Sequence, residues 1–172
     1  KGYNNILLNN FACGDKKKYQ TFFKNIKSNT SSFHKPNLNH RWVNIRSEQF
    51  NVKPEEFVEK SYEVEIRKLD DYVTEKQIDH IDLLKIDTQE FEDKVLLGLE
   101  KMICKENISI IELEIIMGNQ YETQLSFGQI EEIISPSYKF IATKKNDAYN
   151  LFSNPGLCFV CIYVNSSMYK KH

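Results

Sequence analysis

Lys85 and Asp87 stand two residues apart in the apolar run IDLLKID at 81–87, and Glu112 and Glu114 stand two apart in ISIIELEII at 108–116. Residues two apart on a strand share a face, so each pair places two charges on one side of its strand. Burying a charge is costly unless it is paired or reaches solvent at a strand end. In open α/β sheets the accessible place is the crevice at the carboxyl ends of the strands, where ligands bind. Asp87 closes its run and Glu114 is late in its own, so both carboxylates are candidates for a cleft. The same residues admit a purely structural reading. There Lys85 forms an ion pair with a carboxylate, the segment after Asp87 caps a helix, and Glu90 and Glu92 are favoured in its first turn by the helix dipole. Strand position alone leaves both readings open.

Other chemistries have weaker signals. Cys158 and Cys161 form a C-x-x-C, but within LCFVCIYV, an aromatic and β-branched run that predicts a strand. Residues three apart on a strand face opposite sides, so the pair is expected to pack in the core as free thiols rather than share a metal or disulfide. No metal site is expected, and His34 and His40, flanking a loop around Pro36, read as surface histidines. The six glycines form neither a G-x-G-x-x-G nor a Walker A loop.

The elements that must position the two acidic runs follow from periodicity. ILLNNFACGD predicts a strand entering a Gly-Asp turn, and KKYQTFFKNI a second extended piece able to pair with it across that turn. Residues 25–61, rich in Ser, Asn and Pro, predict an irregular insertion over the core, tacked down by Trp42 and Phe50. Tyr62, Val64 and Ile66 alternate with Glu63, Glu65 and Arg67, the period of a half-exposed strand. The chain then alternates: strand 81–87, one helix over FEDKVLLGLEKMI, strand 108–116, a short helix over FGQIEEIIS stopped before Pro136, and two closing strands, YKFIATKK and LCFVCIYVN, joined by a polar turn. This β-α-β-α-β-β order predicts a single α/β domain over 1–172 with a mostly parallel sheet and an antiparallel end.

The 172 residues, 41% of them hydrophobic and 27% charged, suit one ordinary globular domain. With Lys+Arg 23 against Asp+Glu 24, the net charge of -1 offers no basic excess for nucleic acid. No apolar run approaches the ~20 residues of a membrane helix. The first residues, KGYNNILLNN, lack the basic start and small-residue cleavage site of a signal peptide, so a reducing, cytoplasmic setting is expected.

The segment LDDYVTEKQIDHIDLLKIDTQEFEDKVLLGLEKMI resembles the FkbM-type family of S-adenosylmethionine-dependent methyltransferases. The matching elements are Leu69-Asp70-Asp71, then Lys85-Ile86-Asp87, then Glu92 and Val95-Leu96-Leu97-Gly98. Upstream, Asn10, Ala12, Gly14 and Asp15 match the family's Asn-x-Ala-x-Gly-Asp stretch; downstream, IIELEI ends in the family's glutamate, here Glu114, and CFVCIYVN resembles the closing strand. Glu90 stands where the family usually has glycine.

The resemblance implies a Rossmann-like class I methyltransferase sheet and S-adenosylmethionine as cofactor, with Asn10 and Ala12 by the adenine and Asp87 at the methionine end. It implies Asp87, Glu92 and Glu114 as the catalytic set, with Lys85 orienting Asp87. The acceptor would be a small polar molecule such as a sugar, methylated on a hydroxyl. The match corresponds to the C-terminal two-thirds of such a domain, without the N-terminal strand-helix-strand and its glycine loop, so the chain alone is expected to bind the cofactor poorly. The alternative is a degenerate, non-catalytic α/β module acting through protein partners.

Overall fold

The run Val58–Arg67 forms the central strand of a small sheet. In a computed structural model, which describes residues 5–135, 137–145 and 157–169, this strand (β3) pairs antiparallel with β2 (Lys18–Asn25) and parallel with β1 (Ala12–Cys13). The sheet order is β1-β3-β2, which corrects the expectation that the first two segments pair with each other. The reason is a close approach. Gly14 N donates to the Arg67 carbonyl at 3.0 Å, and a Cβ on Gly14 would sit 2.6 Å from Ile66 Cγ2. The chain therefore turns across the end of β3 and comes back on its other side.

The second sheet has the order β4-β5-β7-β6, from β4 (Ile81–Ile86), β5 (Ile108–Met117), β6 (Tyr138–Lys145) and β7 (Leu157–Asn165). β4 and β5 pair in parallel, and β7 lies antiparallel between β5 and β6. Both sheets are mixed, so the single, mostly parallel sheet expected from the element order is corrected. β4, β5 and β6 do run one way, but β7 returns between two of them. An antiparallel return needs no crossover helix, whereas the parallel step from β4 to β5 does. The polar turn expected between the closing strands and the Pro136 stop fall outside the described residues.

That crossover is two helices rather than the expected one, α3 (Glu92–Leu97) and α4 (Glu100–Cys104). Gly98 makes the break. A side chain there would run into the Gly14 carbonyl oxygen, so the helix must bend at the one residue that lets the two backbones touch. Asp70, in α2 (Leu69–Glu75), holds the new start: its buried carboxylate accepts from Lys101 N at 2.9 Å and Met102 N at 3.3 Å, while Asp70 N donates to the Gly98 carbonyl at 2.9 Å. Leu96, Leu99, Ile111, Leu113 and Ile130 fill the main core between these helices, β5 and α5 (Phe127–Ile134). Ser126 and Gln129 form a capping box that starts α5.

The insertion is more ordered than its composition predicts. It carries α1 (Arg41–Gln49), started by the His40 ring nitrogen accepting from Trp42 N at 3.2 Å. Trp42 and Val43 pack with Phe57 in a second cluster. Trp42 tacks the segment down as expected, but Phe50 is 44% exposed and does not. His34, expected at the surface, is half-buried against Phe91. Cys158 packs with Ile116 and Tyr121 while Cys161 joins the main core, as opposite faces of a strand require.

Gly98→Ala forces an overlap with Gly14 and is expected to cost about 3 kcal/mol, whereas Gly128→Ala in α5, where a Cβ meets only Ser126 Oγ at 3.9 Å, is expected to gain about 0.5–1 kcal/mol. Urea unfolding of the two variants checks the contrast.

Candidate active site

Parallel pairing brings the carboxyl ends of β4 and β5 side by side, in the register Lys85↔Glu112. Past that point the chain leaves β4 through Asp87-Thr88-Gln89-Glu90 and turns into α3. Gln89 (φ 56) and Glu90 (φ 75) are both left-handed, a conformation that costs a side-chain-bearing residue roughly 1–2 kcal/mol. Two supports hold them there. Ser32 Oγ donates to the Gln89 carbonyl at 2.6 Å, and the buried Glu92 carboxylate reaches back to accept from Thr88 N at 2.7 Å and Thr88 Oγ1 at 3.0 Å.

The turn aims the Gln89 amide between the two strand-end carboxylates. Its Nε2 donates to Asp87 Oδ1 and to Glu114 Oε2, each at 3.0 Å, using both of its N–H groups. Its Oε1 lies 3.1 Å from the Tyr121 hydroxyl, which is also 2.8 Å from the Thr30 carbonyl. The buried Tyr121 O–H is held well above the usual phenol range, first by burial and then by the surrounding carboxylates, so it stays a donor.

Asp87, Gln89 and Glu114 at the sheet end, together with Lys27, Thr30, Trp42 and Arg46 from the insertion, line a cavity of about 190 Å³. The insertion is clamped in place by Asn37 N donating to the Gln120 carbonyl at 2.8 Å and Glu122 N to the Lys35 carbonyl at 2.9 Å. Asp87 also lines a second, larger groove of about 940 Å³ between β1 and β4, whose walls include Phe11, Ala12, Phe22, Phe33 and Phe91. It is thus the residue where the polar cavity and the apolar groove meet.

The expected site residues divide accordingly. Asp87 and Glu114 are brought together. Ala12 lines the groove, and exposed Asn10 lies on an adjoining hollow with it. Glu92 is not among the residues lining the cavity and acts on the turn through Thr88. Lys85, expected to orient Asp87, instead reaches Glu112, its register partner, at 3.4 Å. That is the ion pair of the structural reading. Gln89, Tyr121, Lys27 and Arg46 were not marked by the sequence, since each comes to the site only through strand pairing or the packing of the insertion.

The family model described as the methyltransferase FkbM domain matches residues 1–142. The chain belongs to the FkbM methyltransferase family. Comparison with curated proteins and comparison with solved structures each give no match. The matched range takes in β1, the whole insertion, the 87–92 turn and Glu114, so the cavity's sheet side and its insertion side both belong to the FkbM domain. Membership gives the general chemistry as methyl transfer. Among the described residues no helix is long and apolar enough to cross a membrane.

Burial pushes the Glu90 and Glu92 carboxyls up to about 7 from an ordinary 4.5. Glu90 is buried, with Oε2 accepting from Leu125 N at 2.5 Å. The fold therefore keeps protons that the unfolded chain has released, and stability present below about pH 4.5 is lost as pH rises through about 7. The urea midpoint is expected to fall between about pH 5 and pH 7.5, and Glu90→Gln to remove part of that fall. A flat wild-type profile, or an unchanged fall in the variant, contradicts this.

Proposed function

We propose that this FkbM domain methylates a hydroxyl of a small polar molecule such as a sugar, with S-adenosylmethionine as the methyl donor. The observation that carries the reading is Asp87, shared by a polar cavity and an apolar groove and tied to Glu114 through one amide. The groove suits the cofactor in kind. Phe11, Phe22 and Phe33 offer flat apolar walls for a purine, Ala12 permits close approach, Asn10 sits on the adjoining rim, and the Asp87 carboxylate suits a cationic end. When bound, the cofactor supplies a methyl group on a sulfonium.

What remains for the chain is alignment and proton transfer. The insertion wall and the sheet confine the acceptor, which converts an encounter in solution into a positioned reaction. Glu114 or Asp87 accepts the hydroxyl proton as the methyl bond forms, and Gln89 keeps both carboxylates aimed into the cavity. Glu92, which lines no part of the cavity, is a positioning residue that fixes the turn through Thr88. Two left-handed residues in one turn support function over the non-catalytic alternative, because such strain persists where a site requires it.

The groove is open along β4, where Leu83 is 56% exposed and no strand pairs with the outer edge among the described residues. This supports weak retention of the cofactor by these residues alone. In a tritium-transfer assay over a panel of small hydroxylated acceptors, Asp87→Asn is expected to lower transfer about 100-fold or more with the thermal midpoint unchanged. Transfer equal to wild type in that variant overturns the reading.

A further inference from the structure

Between β5 and α5 the chain runs through residues 118–126 without regular helix or strand, as a strap that starts at the carboxyl end of β5. It carries two groups that the site uses. Buried Gln120 lines the polar cavity, and the Tyr121 hydroxyl meets the Gln89 amide oxygen. The insertion fastens the first part of the strap. Asn37 N and Nδ2 donate to the Gln120 and Asn119 carbonyls at 2.8 and 3.0 Å, and Glu122 N donates to the Lys35 carbonyl at 2.9 Å. Between Glu122 and the Ser126 cap of α5, the one hydrogen bond among the described residues runs from Leu125 N to Glu90 Oε2, at 2.5 Å.

At φ 75, Glu90 holds a left-handed conformation that glycine adopts freely and a residue with a Cβ resists. Its side chain is 4% exposed, and Oε1 is buried without a hydrogen-bond partner among the described residues. The carboxyl thus makes a single bond, and that bond goes to the strap. A side chain that is strained in its backbone and buried with one oxygen unsatisfied persists where the surrounding structure requires what it holds. The charged groups around it do not favour its ionised form. Glu92 and Asp93 face it from α3, with Lys94 paired to Asp93 at 2.8 Å; Tyr121 of the strap stays a neutral phenol; and the His34 ring of the insertion meets the Glu90 backbone carbonyl rather than the carboxyl.

We propose that Glu90 is a positioning residue that latches the 118–126 strap onto the turn after β4, and so keeps Gln120 in the cavity wall and the Tyr121 hydroxyl on Gln89. The latch is a property of the fold; its effect on the reaction rests on the methyl-transfer reading. Without the carboxyl, Leu125 N loses its acceptor, the strap is free to lift between Glu122 and Ser126, and Tyr121 is drawn off Gln89. The apolar groove includes no residue of the strap, so the latch bears on the acceptor and not on the methyl donor. Burial holds the latched carboxyl at about 7, against the ordinary 4.5 of a solvated one. The strap therefore binds Glu90 best when the carboxyl is protonated, and its hold loosens as pH rises from about 4.5 through about 7.

The test is amide hydrogen exchange of the 172-residue chain, as wild type, Glu90→Gln and Glu90→Gly, at about pH 5.5 and pH 7.5, each rate divided by its unstructured value. The Leu125 and Glu122 amides are read where exchange is insensitive to dilute urea and so reports local opening. In the wild type their protection is expected to fall about tenfold over that range. Glu90→Gln, neutral and still able to accept from Leu125 N, is expected to keep the protection at both values; Glu90→Gly is expected to lose about tenfold at the lower one. Wild-type protection in Glu90→Gly, or a wild-type fall in Glu90→Gln, overturns the latch; if Glu90→Gly does not fold, wild type against Glu90→Gln decides. In the methyl-transfer assay, Glu90→Gly is expected to raise the acceptor KM about tenfold with the S-adenosylmethionine KM unchanged, and Glu90→Gln to restore most of it. An opened strap with the acceptor KM unmoved overturns the positioning role. A strap that opens as described in a chain that methylates no acceptor supports the latch and contradicts the methyl-transfer reading.

Discussion

One neutral amide stands between two carboxylates, and the arrangement of the site follows from it. Asp87 and Glu114 project from neighbouring parallel strands at the end of the sheet, where their like charges would otherwise drive them apart or draw in a lysine. Gln89 satisfies both without cancelling either, because it gives one N–H to each and adds no charge. Placing its amide there requires the chain to turn within four residues of the end of β4, and the turn is left-handed at two side-chain-bearing positions. Ser32, Glu92 and Tyr121 are the supports that such a turn needs, and they come from three separate parts of the chain.

Those supports tie the insertion to the sheet. Ser32 and Thr30 come from the segment that precedes α1, and Tyr121 follows β5, so the bonds that hold Gln89 also fasten the insertion over the carboxyl ends of β4 and β5. The wall of the cavity and the aim of its carboxylates are thus one structure. The crossover behind it depends on a second close contact, Gly14 against Gly98, which bends the helix and lets Asp70 cap the part that follows. Both contacts link the small sheet's surroundings to the large sheet.

The parts legible in the sequence were those that a local period or a strand end expresses. The strands 81–87 and 108–116, the α5 helix and the cleft position of Asp87 and Glu114 all follow from spacing within a few residues. The partner of Lys85 does not, because strand register decides it: Glu112 stands opposite in the ladder, whereas Asp87 is closer in sequence. α1 was illegible because only Trp42, Val43 and Ser47 of its nine residues are buried, too few to write a helical period. Gly98 was visible as a glycine within a helical pattern, but its reason, the Gly14 carbonyl, is remote in sequence. Gln89 carries no pattern of its own; its role exists only once β4 and β5 are paired.

The central claim is that Asp87, Gln89 and Glu114 act as one unit, and a double-variant cycle on methyl transfer tests it most directly. Initial rates for Gln89→Leu, Asp87→Asn and the two together are compared with wild type. If the amide works by aiming the carboxylates, the double variant is no slower than the slower single variant, since residues of one unit are grossly non-additive. Losses that multiply, or a Gln89→Leu enzyme as fast as wild type, would contradict the account.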